Sequence, residues 1–511
     1  MGIVRSQSLR SSILIYFGML IGYLNLIILM PRFFTPEQIG MTRTIIVISY
    51  VLTIFSDLGA TPIMYRFFPI YSKRNATDFL FIVLLLPMAG FFLTTGITFI
   101  FQDVVFFSIF EKCPPFKEYL FLIYLTTFFT LITGLGTNYC ALHLKTIIPR
   151  SVAEILPRLG NTILILLFAF NIISFNTYFI LFAMLVGMAA LFIWGYVIYI
   201  EQFKFEFKLS PITKRVYKKM LIFGFVGILG NSFSTIVNYI DTLMLAGING
   251  QQDVAIFNIG YYIISIISVP YLSIMAVVTP LLAKAIRFKR WHEVLKYYQQ
   301  TSLNNMIIGS FIFILLLISF DDLLQLLPEN QGYDKAIYIV LFLGIGRIID
   351  MMTGCNSEII AYSKYYWFSL YSLLIVSVFC IFSNYFFILH YGIKGVAVSA
   401  FISLILFNAS RFIYIYVKLK IQPFTNSTAY AIGIILTSSV LTYWLTRFIN
   451  VHIEDHSFVS AAINVTIKSL LWMLLFLPPI ILFNVSEDIN KFYNMICSRL
   501  TGLLRSVKLG S

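Results

Sequence analysis

Charge is scarce in this chain: Asp, Glu, Lys and Arg together make up 11% of its 511 residues, whereas 59% of the residues are hydrophobic. Soluble domains carry about 25% charged residues. A soluble protein with so few charges could not cover its own surface. The composition therefore excludes an ordinary soluble enzyme and predicts an all-α polytopic membrane protein.

The sequence also has few cysteines and lacks a common nucleotide-binding motif. The five cysteines form no CxxC pair, so neither a zinc site nor a redox site is predicted, and no cofactor is expected. The phosphate-cradling motif G-x-x-x-x-G-K-[ST] does not occur in the sequence. If the function is transport, the absence of this motif predicts that an ion gradient or the gradient of the substrate itself drives it.

Long apolar runs fill most of the sequence. A bilayer core needs about 20 mostly apolar residues per helix. The first run, Ser12 to Met30, is too long for the apolar core of a signal peptide and is expected to be a span. The runs predict about fourteen transmembrane helices, near 12–30, 38–60, 79–101, 119–142, 148–171, 177–200, 220–246, 254–281, 303–320, 333–356, 365–389, 393–417, 427–449 and 461–484.

The positive charges predict an orientation for these helices. With the N-terminus placed inside, and with residues within three positions of a span end counted with the adjoining segment, 25 of the 36 Lys and Arg residues fall in inside segments, six in outside segments and five in spans. Lys and Arg accumulate in cytoplasmic loops, so both termini are expected in the cytoplasm, with the chain in the inner (cytoplasmic) membrane. The same placement accounts for the net charge of +14 without a nucleic-acid partner.

Two similar segments, each at the start of a predicted span, suggest an internal repeat. Glu37-Gln38-Ile39-Gly40 opens the second span, and Gln252-Asp253-Val254-Ala255 opens the eighth. Six helices separate the starts of the two halves, so both halves begin on the same side of the membrane, as in a parallel repeat. The expected domains are a six-helix lobe at 1–200, a cytoplasmic connecting loop at 201–219, a second six-helix lobe at 220–417, and two further helices with a cytoplasmic tail at 418–511.

Polar residues recur at helical spacing inside the predicted spans. Such residues are costly in a bilayer and usually face a cavity or a partner. In the first span, Gly18 and Gly22 would allow another helix to approach closely. The candidate cavity residues are Asn25 in the first span, Arg43 and Asp57 in the second, Glu154 and Arg158 in the fifth, Asn238 and Asp241 in the seventh, Asn258 in the eighth, and Arg347 and Asp350 in the tenth.

Several of these candidates have a structural alternative. Glu154 with Arg158, and Arg347 with Asp350, are spaced as ion pairs that neutralise themselves, and for both pairs a structural and a functional role stay open. The Asn side chains could instead join neighbouring helices. Arg43 has no acidic residue three or four positions away, which favours an anionic ligand, since the guanidinium fork matches phosphate oxygens.

The second span begins and ends in recognisable motifs. It follows the turn Pro31-Arg32-Phe33-Phe34-Thr35-Pro36, continues into Glu37-Gln38-Ile39-Gly40, and ends in Asp57-Leu58-Gly59. These motifs and the span pattern resemble the polysaccharide flippase family of the multidrug/oligosaccharidyl-lipid/polysaccharide exporter superfamily.

The resemblance implies two six-helix lobes around a central cavity, plus two extra helices. The cargo would be an undecaprenyl-diphosphate-linked oligosaccharide, moved by alternating access for surface polysaccharide, O-antigen or lipopolysaccharide biosynthesis. Basic cavity residues would meet the diphosphate and acidic sugars, and Arg43 and Asp57 are in position for that role. The implied partners are the lipid-linked substrate, membrane lipids, and the glycosyltransferases and polymerase of the same pathway.

Two other functions stay open beside flipping. A cation-coupled exporter of drugs or metabolites would share the fold, but that branch usually has twelve spans and acidic cavity sites. A membrane oligosaccharide polymerase or ligase would need a long outside loop, and the outside segments are short, so no catalytic residue is predicted. The outside cluster of His452, Glu454, Asp455 and His456 is expected to be a solvated loop rather than a metal site.

Overall fold

The structure is a computed structural model in which most of the described residues are helical. No strand occurs among those residues, which confirms the all-α polytopic prediction. The cluster around His452 lies outside them. The described residues are 14, 16–73, 78–108, 118–200, 207, 210–328, 331–448, 457–491, 493–495 and 498.

The helices follow one another with short connections. In chain order they are α1 (Tyr16–Phe33), α2 (Pro36–Asp57), α3 (Ala60–Lys73), α4 (Phe79–Ile100), α5 (Leu120–Leu142), α6 (Ile147–Ala169), α7 (Phe175–Tyr199), α8 (Pro211–Ile248), α9 (Gln251–Ser265), α10 (Ser268–Arg287), α11 (Trp291–Ile318), α12 (Phe320–Leu324), α13 (Ala336–Met352), α14 (Asn356–Tyr362), α15 (Trp367–Leu419), α16 (Asn426–Thr446) and α17 (Ser457–Leu482).

Twelve helices in the described part of the chain are long and apolar enough to cross a membrane. The number is thirteen if α13 and α14, which meet at a bend of 50°, together form one span. Helix α15 counts once although it has 53 residues, and Gly392 inside it has non-helical angles of φ 55° and ψ −132°. That break lies between the predicted spans 365–389 and 393–417. The count of fourteen stays a prediction.

The predicted span at 254–281 is divided into two helices, α9 and α10. Pro270 stands in the first turn of α10 and has no N–H to donate. The carbonyl of Ile266 instead accepts a hydrogen bond from the amide of Val269 in a tight turn, with N and O 3.1 Å apart. The proline therefore separates the two helices at this point, which the apolar run alone did not indicate.

The chain forms two compact units. The first consists of Met1–Tyr262 with Leu373–Ser399, and the second of Ile263–Ser372 with Ala400–Ser511. Each unit thus combines two separate stretches of the chain, whereas the predicted lobes and connecting loop are continuous stretches. The predicted layout stays a prediction.

Helix α2 is central to the first unit, where it packs against α4, α5 and α8. Its start is capped by Thr35, whose side chain accepts from the amide of Gln38. A Cβ on Gly40 would lie 1.9 Å from the carbonyl oxygen of Gln251 in α9. Thr44, one turn later, donates to the Gln251 side chain over 2.7 Å. The motif at the start of α2 is therefore a close helix contact.

The other end of α2 is a tight turn with a second close contact. Gly59 has φ +76°, and a Cβ on it would lie 2.3 Å from the carbonyl oxygen of Gly224 in α8. A side chain at this position would be strained by the backbone and blocked by α8. The two glycine contacts fix α2, the helix that carries Arg43, against its neighbours.

In the second unit, α11 packs against α10, α13 and α16, and α16 packs against α17. Lys468 in α17 forms an ion pair of 2.6 Å with Asp322 in α12, and both side chains are less than 10% exposed. Trp472 is fully buried and donates to the carbonyl of Phe311 over 2.9 Å. These contacts anchor α17 within the unit.

Candidate functional site

A cavity of about 460 Å³ lies among the helices of the first unit. Side chains from α1, α2, α5, α6, α7 and α9 line it. Four residues predicted from the sequence come together there, from three helices that are far apart in the chain: Asn25, Arg43, Glu154 and Arg158.

Glu154 and Arg158 form the predicted ion pair across one turn of α6, with Nη2 2.7 Å from Oε2. About a third of each side chain is exposed, so the pair faces the cavity. A Cβ on Gly18 would lie 2.7 Å from Nη1 of Arg158, and a Cβ on Gly22 would lie 3.8 Å from its side chain. Gly18 therefore makes room for the guanidinium. The same Cβ would lie 3.4 Å from the main-chain oxygen of Glu154, so α1 and α6 lie close together at Gly18, whereas a Cβ on Gly22 would make only an ordinary contact.

Asn25 joins α1 to α6 with both ends of its amide. Its Nδ2 donates to the carbonyl of Arg158 over 2.8 Å, and its Oδ1 accepts from the Thr162 hydroxyl over 2.7 Å. The side chain is 3% exposed. Asn25 therefore has the interhelical role that was considered for the Asn side chains, and it holds the helix that carries Arg158.

Arg43 faces the cavity without a carboxylate beside it. Its Nη1 donates to the Tyr262 hydroxyl over 3.3 Å, and its guanidinium carbon lies 5.0 Å from the centre of that ring. Its Nε is buried without a hydrogen-bond partner. Among the described residues, no Asp or Glu forms an ion pair with Arg43. The positive charge is thus available to a ligand.

Four aromatic residues line the cavity: Tyr50, Tyr178, Phe182 and Tyr262. Tyr50 stacks on Tyr239 with ring centres 6.0 Å apart. Tyr178 is fully buried, donates to Asn161 over 2.7 Å and stacks on Phe182. These rings add apolar surface beside the charged groups.

A threonine face on α5 forms another wall, and it was not predicted from the sequence. The residues recur at steps of four, three, four and one, so a helical stripe was present in the sequence. Threonine is uncharged and common in spans, so spacing alone does not distinguish a cavity wall from ordinary helix packing. The wall consists of Thr126, Thr130, Thr133, Thr137 and Asn138.

Asp57 does not line this cavity. Its carboxylate accepts from the amide of Thr61 at 3.1 Å and from the Thr61 hydroxyl at 3.0 Å. An otherwise unpaired amide in the first turn of α3 is satisfied in this way. The geometry therefore gives Asp57 a capping role at the turn between α2 and α3.

Three further predicted residues of the first unit also lie outside the cavity lining. Asp241 accepts from Asn384 Nδ2 over 2.6 Å. Asn258 donates to the carbonyl of Val254 and Asn238 to that of Ser234, each one turn back in its own helix. For these residues a role in substrate binding stays a prediction.

Arg347 and Asp350 belong to the second unit. The nearest atoms of the pair are 3.8 Å apart, which is a long ion pair. Their role also stays a prediction. Among the described residues, no group of three or more His, Cys, Asp or Glu side chains is arranged to hold a metal ion.

The described lining of the cavity therefore carries a small net positive charge, and most of its residues are uncharged. Its charged members in the described part of the chain are two arginines and one glutamate, a net charge of +1. Such a lining can hold an anionic group beside Arg43 and hydroxyl-bearing groups along α5.

Two family models match the sequence. The model described as polysaccharide biosynthesis protein matches residues 7–286, which is more than half of the chain. The model described as MatE matches residues 227–386. No curated protein sequence matches the chain.

Solved structures with the same fold are transporters and flippases. The lipid II flippase MurJ, in an inward closed conformation, superposes with a TM-score of 0.69 at 16% identity, over 91% of this chain and 97% of that chain. A single-residue mutant of the Vibrio cholerae MATE transporter VcmN gives a TM-score of 0.56 at 13% identity, over 82% of this chain and 98% of that chain.

A third structure is a transporter from Pyrococcus furiosus of the multidrug/oligosaccharidyl-lipid/polysaccharide exporter (MOP) superfamily. It superposes with a TM-score of 0.54 at 14% identity, over 82% of this chain and 96% of that chain. That transporter is described as having a binding pocket of reversed polarity. At these identities the likeness shows the fold alone, whereas the sequence match extends over more than half of the residues. The chain belongs to the polysaccharide biosynthesis protein family and has the fold of the transporters of the multidrug/oligosaccharidyl-lipid/polysaccharide exporter superfamily.

Proposed function

We propose that this multi-pass membrane transporter flips an undecaprenyl-diphosphate-linked oligosaccharide across the cytoplasmic membrane by alternating access. The cargo would serve surface polysaccharide biosynthesis, such as that of O-antigen, and would be supplied by glycosyltransferases and used by a polymerase. The family match and the flippase and transporter folds support the class of protein. The cavity lining supports the class of cargo.

The observation that carries the proposal is the position of Arg43. A guanidinium inside a span is costly unless it finds a partner, and no carboxylate in the described part of the chain forms an ion pair with this one. Its buried Nε still has a hydrogen to donate. A diphosphate supplies the negative charge and the paired acceptor oxygens that a guanidinium fork matches.

The charge of the lining also weighs against cation-coupled drug export through this cavity. Carboxylates are the side chains that neutralise the charge of a cationic drug or a coupling cation. The described lining contains one carboxylate, Glu154, and Arg158 lies 2.7 Å from it. The described lining therefore offers no unpaired carboxylate to a cationic cargo.

A flipping assay in proteoliposomes tests the proposal. Purified protein is reconstituted with a fluorescent undecaprenyl-diphosphate oligosaccharide, and the rate at which the label becomes accessible to an external quencher is measured. Arg43→Ala is expected to lower the rate about 10- to 100-fold, the value of one or two charge-assisted hydrogen bonds. Arg43→Lys is expected to recover little, since a point charge does not reproduce the fork.

The matched control is Arg150→Ala, which removes an exposed arginine from α6 that does not line the cavity. Its rate is expected to equal that of the wild type. A wild-type protein that moves no lipid-linked oligosaccharide, or an Arg43→Ala variant that moves it at the full rate, would contradict the proposal.

A further inference from the structure

Five of the uncharged polar residues in the described lining of the cavity stand on α5 and form the threonine wall. It consists of Thr126, Thr130, Thr133, Thr137 and Asn138. From the first threonine to the last, the helix rises about 16 Å at 1.5 Å per residue. The wall is therefore long enough for a chain of groups rather than a single one.

The hydroxyls of this wall can both donate and accept hydrogen bonds. No hydrogen bond joins the side chain of Thr126 or Thr130 to another described residue. Thr137 donates to the carbonyl of Thr133 over 2.8 Å, which leaves its oxygen free to accept. Asn138 accepts from Tyr65 through Oδ1 and keeps its amide hydrogens for a ligand. Sugar hydroxyls also donate and accept, so the wall matches a polyhydroxylated surface.

The charges leave no cation for an acidic sugar. The described lining contains three charged side chains, and Glu154 is paired with Arg158. Arg158 keeps a buried Nη1 without a hydrogen-bond partner, but Glu154 neutralises its charge. Arg43 is then the cation without a carboxylate partner, and the proposed function assigns it to the diphosphate. A carboxylate on the glycan would enter a partly dehydrated cavity without a counter-charge, which is unfavourable.

We infer that the part of the glycan held in this cavity is uncharged, and that the threonine wall of α5 recognises its hydroxyls and selects against acidic sugars. The inference rests on the proposed flippase function and adds the class of sugar. It differs from the expectation drawn from the family resemblance, in which basic residues would also meet acidic sugars.

Two matched probes test the charge selectivity. Both are undecaprenyl-diphosphate oligosaccharides of the same length, one with neutral hexoses only and one with a single hexuronic acid. In proteoliposomes the neutral probe is expected to cross about tenfold faster or more, the effect of one uncompensated charge. Equal rates, or a faster acidic probe, would overturn the inference and leave the flippase function standing. Movement of neither probe would overturn the flippase function, and the inference with it.

Substitution of Thr130 tests the wall itself. Thr130→Val keeps the shape but removes the hydroxyl, and is expected to slow the neutral probe about threefold to tenfold. Thr130→Arg adds the missing cation, and is expected to raise the rate of the acidic probe relative to the neutral one. Thr437→Val, at an exposed threonine of α16, is the control and is expected to change neither rate. Unchanged probe rates in both Thr130 variants would overturn the role of the wall.

Gly134 provides a steric test at a position that has room for a Cβ. It lines the cavity, and a Cβ on it would meet nothing within 4 Å. Gly134→Leu is therefore expected to fold normally and to block the neutral probe. Gly195→Leu, at an equally open glycine of α7 that does not line the cavity, is the matched control. A Gly134→Leu protein that carries the neutral probe at the wild-type rate would show that the glycan does not pass along α5.

Discussion

Arg158 pairs with Glu154 across one turn of α6, with a distance of 2.7 Å between Nη2 and Oε2, while its main-chain carbonyl accepts from Asn25 of α1. One residue thus takes part both in the charge of the cavity and in the contact between two helices. Structural and functional effects of changing it can be separated only by combining substitutions.

A double substitution separates the two roles of this pair. Glu154→Gln and Arg158→Ala alone are each expected to lower the amount of folded protein, because each leaves an unpaired charge. The cost should be below the roughly 3–5 kcal/mol of a fully buried pair, since a third of each side chain is exposed. The double variant is expected to restore folded protein but not flipping.

Folded protein is measured by size-exclusion chromatography of detergent extracts, and flipping in proteoliposomes. The control is the double variant Arg290→Ala with Glu293→Gln, which removes an exposed pair of 3.2 Å and is expected to change neither quantity. Full flipping by the Glu154→Gln, Arg158→Ala protein would show that the pair only stabilises the fold.

Gly18→Ala should affect function more than stability. The new methyl group would lie 2.7 Å from Arg158 Nη1, and the end of a flexible side chain can move away. We expect the guanidinium to leave its place beside Glu154 and flipping to fall severalfold at near-normal thermal stability. Gly96→Ala, where nothing lies within 4 Å of the Cβ, is the control. An unchanged flipping rate in Gly18→Ala would argue against this position of Arg158.

Gly40→Ala should affect stability first. Its Cβ would meet the backbone of Gln251 at 1.9 Å, and a helix backbone cannot rotate away as a side chain can. Overpacking of this kind costs about 1–3 kcal/mol or more. A lower midpoint of thermal unfolding in detergent is expected for Gly40→Ala and not for Gly96→Ala. Equal midpoints would mean that α2 and α9 do not approach so closely.

The buried pair in the second unit should show strong coupling. Lys468→Met leaves Asp322 unpaired at 3% side-chain exposure, at a cost of about 3–5 kcal/mol. Adding Asp322→Asn removes the unpaired charge and is expected to recover most of the loss. The free energy of unfolding of the single and double variants is compared by denaturant titration. Additive losses would contradict the pairing.

Reporter fusions test the predicted orientation. A reporter active only in the cytoplasm should be active at Lys214 and Lys289 and inactive at Lys335, because the excess of Lys and Arg lies on the cytoplasmic side. Activity at Lys335 together with inactivity at the other two sites would reverse the orientation.

The sequence alone determined the class of the protein and most of its spans. An apolar run of about 20 residues in a bilayer has little choice but to be a helix, since its backbone must satisfy its own hydrogen bonds. The pair of Glu154 with Arg158 was also predictable, because residues four apart share one face of a helix. These are local properties, and each depends only on neighbouring residues.

The tertiary structure decided which polar residues share a cavity. Helical spacing places a residue on a face of its own helix but does not tell which distant helix that face meets. Packing brought Arg43 of α2 and Arg158 of α6 to one cavity and turned the threonines of α5 towards it. Packing also decided that Asp57 accepts a hydrogen bond at the turn before α3 and that Asn25 donates one to α6. A buried polar group bonds to the partner that the packed helices bring within reach.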